Sequence, residues 1–511
     1  MTFTYQARPR LNEKQEKALE ACSRLLNNVE RSLHADVSKG STPASNKNSY
    51  LKRFGITARH FNSCRVNLDG KIAACKTSRD LAINSLNQKI KSVESQIKQL
   101  KTKPSKAFSL HQKKRRHEHL SARLKLMQKD KEEGRIRLCF GSKKLFRAQF
   151  HLKKNGFANH QEWKKSWKAK RNSEFFFMGS KDETSGNQSC VTTVQEDGSL
   201  RLRLRLPPAL ETKHDKYCVI ENVRFAYGHD IILAAIQNCS DRKQYKNKEI
   251  GQSLSFRFKK DKKGWRLFVS TDFQKVEQVS QEGFGAIGID INADHIACVE
   301  TDRFGNPVEK KNYSWNTNGK KQNQLKALTG GVCKEIIDHA KRSRKPVVVE
   351  DLNFQKKKNQ LQESHNKRYA RMLSSFAYSL FLICLIARAY KYGIAVHKVN
   401  PAFTSVIGRC NYSKRYGLSI HLAAALCIAR RHQKFSEKPC LSEGMIPDGK
   451  GNHVALSLPV RNRQRHVWHF WGLVKRKLST VLAAHFRAIK NRSLSPPRST
   501  HETGNLRLLL V

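Results

Sequence analysis

The chain has 511 residues, with 98 Lys and Arg against 42 Asp and Glu, for a formal net charge of +56. Single cores stop growing near roughly 250 to 300 residues, so two or three domains are expected; a chain this cationic repels itself when compact and gains from a polyphosphate partner through counterion release. No run of about 18 apolar residues occurs, the opening MTFTYQARPR lacks a signal-peptide pattern, and the 13 cysteines contain no C-x-x-C pair, so no membrane span, disulfide framework or zinc ribbon is expected.

The segment 76–128 is predicted to be helical. Leu86, Ile90, Val93, Ile97 and Leu100 recur at spacings of four and three, a coiled-coil seam; Pro104 interrupts it and Leu120, Leu124 and Met127 resume it, which makes a helical hairpin. Its expected tip is the run KKRRH. There Lys113, Lys114, Arg115 and Arg116 are candidates for contact with a nucleic-acid backbone, the plain alternative being a solvated face.

From about residue 173 the period becomes two. Leu200, Leu202, Leu204 and Leu206 alternate with Arg201, Arg203 and Arg205 after the turn at Gly198, so one face is core and the other a row of guanidiniums that can meet phosphates. SLSFRFKKDKKGWRLFVSTD reads as a second hairpin, its turn at Asp261 to Gly264 lying between Phe256 and Phe258 on one strand and Trp265, Leu267 and Val269 on the other. Together they predict a basic β-domain.

From 284 the order is three strands, then helix, strand, helix, strand, helix. FGAIGIDIN, HIACVETD and VEKKNYSW precede an amphipathic helix carrying Leu325, Leu328, Val332, Ile336 and Ile337. PVVVED, a helix over 372–391, IAVHKV and SIHLAAALCIARR follow, the last with Ser419 as N-cap. A three-strand meander continued by alternating strands and helices is the order of an RNase H-like sheet. GIDIN and VVVEDLNF each end a β-branched run on a carboxylate, which brings Asp290 and Glu350 to the sheet edge. Two converging carboxylates repel unless a cation lies between them, and Mg²⁺ prefers such oxygen ligands. Asp351, next in the chain, should point to the opposite side as a supporting residue.

GIDIN, VEDLNF, RMLSSFAYSLF with YGIAVHKVNPAFTS behind it, and the A-A-x-x-I-A-R-R helix resemble the split RuvC-type nuclease domain of transposon-encoded TnpB proteins, relatives of type V CRISPR effectors. FGSKKLF and FFFMGSKDETSGN are similar to segments of TnpB-related accessory proteins, which points to a subgroup lacking the zinc ribbon. The resemblance implies an α/β plus α+β chain: an N-terminal region over 1–172 with a helical recognition lobe (hairpin 76–128), a β-barrel wedge over 173–280, an RNase H-like (RuvC) nuclease domain over 281–490, and a disordered tail over 491–511. It implies an RNA-guided DNA endonuclease associated with a transposable element, with a guide RNA and target DNA as partners, in the bacterial cytoplasm and at the nucleoid. Mg²⁺, with Mn²⁺ as substitute, is the expected cofactor, and no structural zinc is expected. Asp290 and Glu350 match the family's first Asp and its Glu, as metal ligands and catalytic residues.

The third family acid, aligned on Ala424 and Ala425, falls at or beside His421, an imidazole that can bind metal or shuttle a proton. Glu437 is the alternative source of a carboxylate. About 16 residues separate Ser405 from His421, with Cys410 alone among them, too little for the family's zinc ribbon. A rival reading keeps the guided binding and drops the cleavage, as a repressor or targeting factor with an inactive nuclease site. A basic RNA-binding scaffold and a self-sufficient transposase rank behind both.

Overall fold

The computed structural model describes residues 1–102, 104–183, 185–245, 251–273, 276–292, 294–317, 319–352, 375–440, 443–449 and 451–494. They fall into two compact units, Met1–Gln274 and Lys275–Val511.

In the first unit the helices follow their caps. Asn12 and Gln15 form a capping box at the start of α1 (Glu13–Ser38), and Leu19, Cys22, Leu26, Val29 and Leu33, three and four apart, are buried along one stripe. α2 (Pro43–Phe54) ends on Gly55 in the left-handed conformation. Thr57 caps α3 (Ala58–Lys101), which therefore begins well before residue 76. A turn at Pro104–Lys106 joins it to α4 (Ala107–Glu132), and the seam is deepest at the buried Leu86 and Val93. The run KKRRH is not the tip of this hairpin. It lies well inside α4, with Lys114, Arg115 and Arg116 exposed and Lys113 donating to Gln96 Oε1 at 2.5 Å. The reversal follows proline, which cannot continue a helix, rather than charge.

The same unit holds two antiparallel sheets. One has the order β1 (Thr2–Ala7), β7 (Gly264–Asp272), β6 (Ser255–Asp261), β2 (Glu174–Phe177); the other runs β3 (Cys190–Val194), β4 (Leu200–Arg205), β5 (Tyr217–Val223). The leucines of β4 are buried, Arg201 and Arg203 are exposed and Arg205 is half-buried, as the period of two requires. The expected closed barrel is absent among the described residues. Phe256, Phe258, Trp265, Leu267 and Leu200 to Leu206 share one core with Leu19, Leu26, Phe61 and Leu68, so helices cover the apolar faces that strand closure would otherwise seal.

In the second unit β8 (Ile287–Ile291), β9 (His295–Thr301), β10 (Pro307–Ser314), β11 (Val347–Glu350) and β12 (Val396–Val399) form one sheet of order β10-β9-β8-β11-β12. The first three strands are antiparallel and β11 is parallel to β8 and to β12, the strand order and directions of an RNase H-like sheet. α5 (Gln322–Ser343) and α6 (Ser375–Lys391) cover one face, meeting Ile287, Ile289, Val347 and Val349. α7 (Ile420–His432) covers the other, with Ala297, Val299 and Val348 beneath it. A hairpin of β13 (Glu443–Pro447) and β14 (His453–Ser457) and the long α8 (Val467–Leu494) pack outside α7. Residues 353–374 and 495–511 lie outside the described residues, and with them the end of VEDLNF, the start of the 372–391 helix and most of the expected tail. Among the described residues no helix is long and apolar enough to cross a membrane.

One buried charge cluster fastens α5 to this sheet. Glu300 on β9 meets His339 of α5 at 2.5 Å and Lys345, just before β11, at 2.5 Å, with all three residues buried. The His339 hydrogen bond, then the Lys345 ammonium, hold the Glu300 carboxyl down at about 2 against the opposing effect of burial. Its folded value lies below its unfolded one, so the contribution of the Glu300 carboxylate is fully present above pH 4.5 and is lost as pH falls towards about 2. Urea unfolding of the intact chain should show Lys345→Met costing about 3 kcal/mol at pH 7, since an uncompensated charge stays buried, and Glu300→Gln should flatten the acid limb of stability between those two pH values.

Candidate active site

Alternation along β8 sorts its side chains. Ile287 and Ile289 enter the core under α5 and α6, which turns Gly288 and Asp290 toward α7. β11 runs parallel with Val349 opposite Ile289, so Glu350 comes next in line beside Asp290. Val348 packs with Ile428 and Ala429 of α7, so Glu350, two residues on, shares that face. The two carboxylates therefore leave the carboxyl ends of neighbouring parallel strands on one side of the sheet.

α7 reaches them because both surfaces are small. A Cβ on Gly288 would stand 2.0 Å from the carbonyl oxygen of Ala425 and 2.7 Å from the amide of Ala429, so only glycine allows this approach. Ser419 caps the helix, its Oγ accepting from the Leu422 amide at 3.3 Å. That places His421 in the first turn, with Nδ1 3.1 Å from Asp290 Oδ2. The Asp290 side chain is 13% exposed and that of His421 40%, so the pair opens to solvent through the imidazole.

Further polar groups complete the cluster. Asn292 donates from Nδ2 to Asp290 Oδ2 at 3.0 Å. The His295 ring stands edge-on to that of His421, with centroids 4.8 Å apart, and its Nδ1 lies 2.8 Å from Asp294 Oδ1. That contact holds the Asp294 carboxyl below its ordinary range, with burial opposing. Thr404 donates to Glu350 Oε1 at 2.5 Å, and the Tyr378 hydroxyl donates to the Glu350 carbonyl oxygen at 2.8 Å. Burial, then the Glu350 carboxylate, push the Tyr378 phenol up, which keeps it a donor.

Asp290 and His421 thus meet directly, and Glu350 stands beside them by register. The three do not form a set of ligand atoms all within 4.8 Å of one another; among the described residues only two other groups do so, both in this unit. As donors they fit a hard divalent cation: two carboxylates on one face, with an imidazole alongside. Asp351 turns away, its amide bonded to the Val399 carbonyl and its carboxylate 3.7 Å from Lys398. Glu437 is engaged by other groups. Its carboxylate pairs with Arg431 and accepts from Trp468 Nε1 at 2.9 Å, while Arg431 in turn donates to the carbonyl oxygens of Asn400 and Ala402.

The remaining candidates lie in the first unit. Arg201 pairs with Glu221 at 3.2 Å, Arg203 lies over the Tyr217 ring at 4.9 Å, and Arg205 is half-buried with its carbonyl oxygen 3.1 Å from His60 Nε2. Sequence reasoning passed over Asn292, His295 and Thr404. Period two gives Asn292 the same face as Asp290, so that signal was present; His295 depends on the β8–β9 turn and Thr404 on the loop after β12, which no local pattern specifies.

No family model matches the chain, and no curated protein matches it in sequence. Among solved structures it is similar to RuvC of T. thermophilus in complex with a Holliday junction substrate, at 17% identity over 29% of this chain and 90% of that one, TM-score 0.22. It is similar to Thermus thermophilus RuvC alone at 17% identity over 29% and 92%, TM-score 0.21. A CRISPR-Cas12f ternary complex matches at 12% identity over 84% of this chain and 98% of that one, TM-score 0.20. The RNase H-like assignment rests on the strand order and directions given above.

Gly288→Ala should lift α7 from β8 and cost roughly 1–3 kcal/mol as an overpacked contact. Thermal unfolding of the full chain measures the loss, and an NMR shift change at the His421 ring should accompany it.

Proposed function

We propose that the second unit is a metal-dependent nuclease of RuvC type and that the whole chain is an RNA-guided DNA endonuclease of the TnpB kind, acting in a transposable element's cycle. The observation that carries this reading is the pair of carboxylates, Asp290 and Glu350, at the ends of adjacent parallel strands on the face where His421 bonds the first of them. Asp290 and Glu350 would hold Mg²⁺ or Mn²⁺, which supplies activation of water and neutralisation of charge at the scissile phosphate. Asn292 and Thr404 fix the rotamers of the two carboxylates. His421 faces Asp290 through Nδ1, so Nε2 is the atom that moves a proton to or from a phosphate oxygen or water.

The exposed Lys114, Arg115, Arg116, Arg201 and Arg203, with Lys113 and Arg205 beside them, suit contact with guide RNA or the guide–target duplex through phosphates, since the net charge of +56 demands a polyanion. Base pairing would then read sequence while the protein reads backbone shape. Work on nucleic acid in the bacterial cytoplasm and at the nucleoid follows from this reading. A second reading has one observation in its favour. His421 occupies the Asp290 oxygen that a cation would use, which suits a guided DNA-binding protein that no longer cuts.

RNA that purifies with the protein, once sequenced, defines matching DNA for a cleavage assay in Mg²⁺. Cleavage should vanish in Asp290→Ala and Glu350→Gln and fall about 10²–10⁴-fold in His421→Ala, the loss of one proton-transfer group. Tight guided binding with no cut by the native chain selects the second reading. Replacing Arg115 and Arg116 together by Ser should lower the salt slope of RNA affinity by about 1.5 to 2, the loss of two phosphate contacts.

A further inference from the structure

Two groups of metal-ligating side chains stand apart from the carboxylate pair. In the first, Glu300, Glu309 and His339 converge, but the Lys345 ammonium 2.5 Å from Glu300 already supplies the cation. In the second, among the described residues, no Lys or Arg pairs with the carboxylate, although Lys434 lies near the imidazole of His432. Glu282, His397 and His432 present one ligand atom each, all within 4.8 Å of one another.

Three different elements deliver these residues. Val348 is opposite His397 in the β11–β12 register, which turns His397 to the α7 side of the sheet. His432 closes the last turn of α7, and its ring stacks on that of His397 with centroids 4.3 Å apart and planes 26° from parallel. Glu282 begins the short turn Glu282–Phe284 that leads into β8. That turn is held by backbone: the Gln281 amide donates to the Arg344 carbonyl at 2.8 Å and the Val279 amide to the Gly393 carbonyl at 2.8 Å. The His397 side chain is 34% exposed, but its Nε2 is buried, lies 3.2 Å from Glu282 Oε1 and makes no hydrogen bond among the described residues. A buried, unsatisfied ring nitrogen aimed at a carboxylate calls for either a proton or a metal ion.

We infer that Glu282, His397 and His432 form a binding site for a zinc-class divalent transition metal, separate from the nuclease carboxylates and independent of the activity proposed above. Two imidazoles and one carboxylate are a donor set that borderline metals prefer over Mg²⁺, which takes oxygen. Three protein ligands leave a position for water. A bound ion would tie the lead-in to β8 to the edge strand β12 and to the last turn of α7.

The test uses the full chain, stripped with chelator and titrated with Co²⁺ as a visible-absorbing probe, then with Zn²⁺ as competitor. The native protein and Asp290→Ala should both develop a d–d band that Zn²⁺ abolishes and millimolar Mg²⁺ leaves intact. His397→Asn and His432→Asn should each bind one equivalent of Zn²⁺ fewer, read by elemental analysis after gel filtration, with far-UV circular dichroism reporting the fold. Glu282→Gln sits on an exposed turn, so it should weaken Co²⁺ binding with no change in the fold. Equal stoichiometry and spectra in the native chain and in all three site variants would overturn the assignment, as would displacement of Zn²⁺ by Mg²⁺.

Discussion

The second unit depends on how closely a helix can lie on a strand. Gly288 has no side chain and Ala425 and Ala429 have nearly none, so the backbones of β8 and α7 approach where any larger pair would hold them apart. Everything chemical follows from that distance: it brings the capped first turn of α7, and with it His421, onto Asp290 at the strand's end. The same contact hides Ile428 and Ala429 against Val348, which keeps β11 in register and Glu350 in line. Fold and candidate site are thus one constraint seen at two places.

Electrostatics divides the chain differently. In the second unit the buried Glu300 is held by His339 and Lys345, and the half-buried Glu437 by Arg431 and Trp468, at spots where they fasten helices in place. In the first unit many basic side chains stay on the surface, on α4 and on the outer face of β4, where they lower no barrier to folding but raise the repulsion that a polyanion relieves. Several are only loosely engaged; Arg201, for instance, meets Glu221 with both side chains about half exposed, a contact of the kind worth roughly 0 to 1 kcal/mol.

Periodicity made most of the second unit legible. The β-branched runs ending at Asp290 and Glu350, the apolar stripe of α5 and the Ser419 cap all act within a few residues of themselves, and the structure bears them out element by element. What failed was what depends on distant partners. β1 has only Tyr5 buried, so its alternation is faint, and it is a strand because β7 pairs with it from the far end of the unit. The barrel was implied by the family resemblance, while the alternation of the two hairpins says which face is apolar and nothing about what covers it; α1 and α3 do. KKRRH was placed at a tip because it falls between the two apolar series, although a helix tolerates a basic run and a proline turn does not need one. His421 emerged from a family comparison of motifs, while its neighbours Asn292 and His295 became visible only through the β8–β9 hairpin.

The hairpin of α3 and α4 has a consequence for its own evolution. A helix of 44 residues spans about 66 Å at 1.5 Å per residue. Its buried seam residues Leu86 and Val93 stand one heptad apart, and its base is clamped where Arg79 and Arg137 meet Asp130. A single inserted residue would rotate everything beyond it by about 100° and turn the seam to solvent, so the arm can change length only by steps near seven, matched on both helices. Its reach is quantised, like a ruler graduated in heptads.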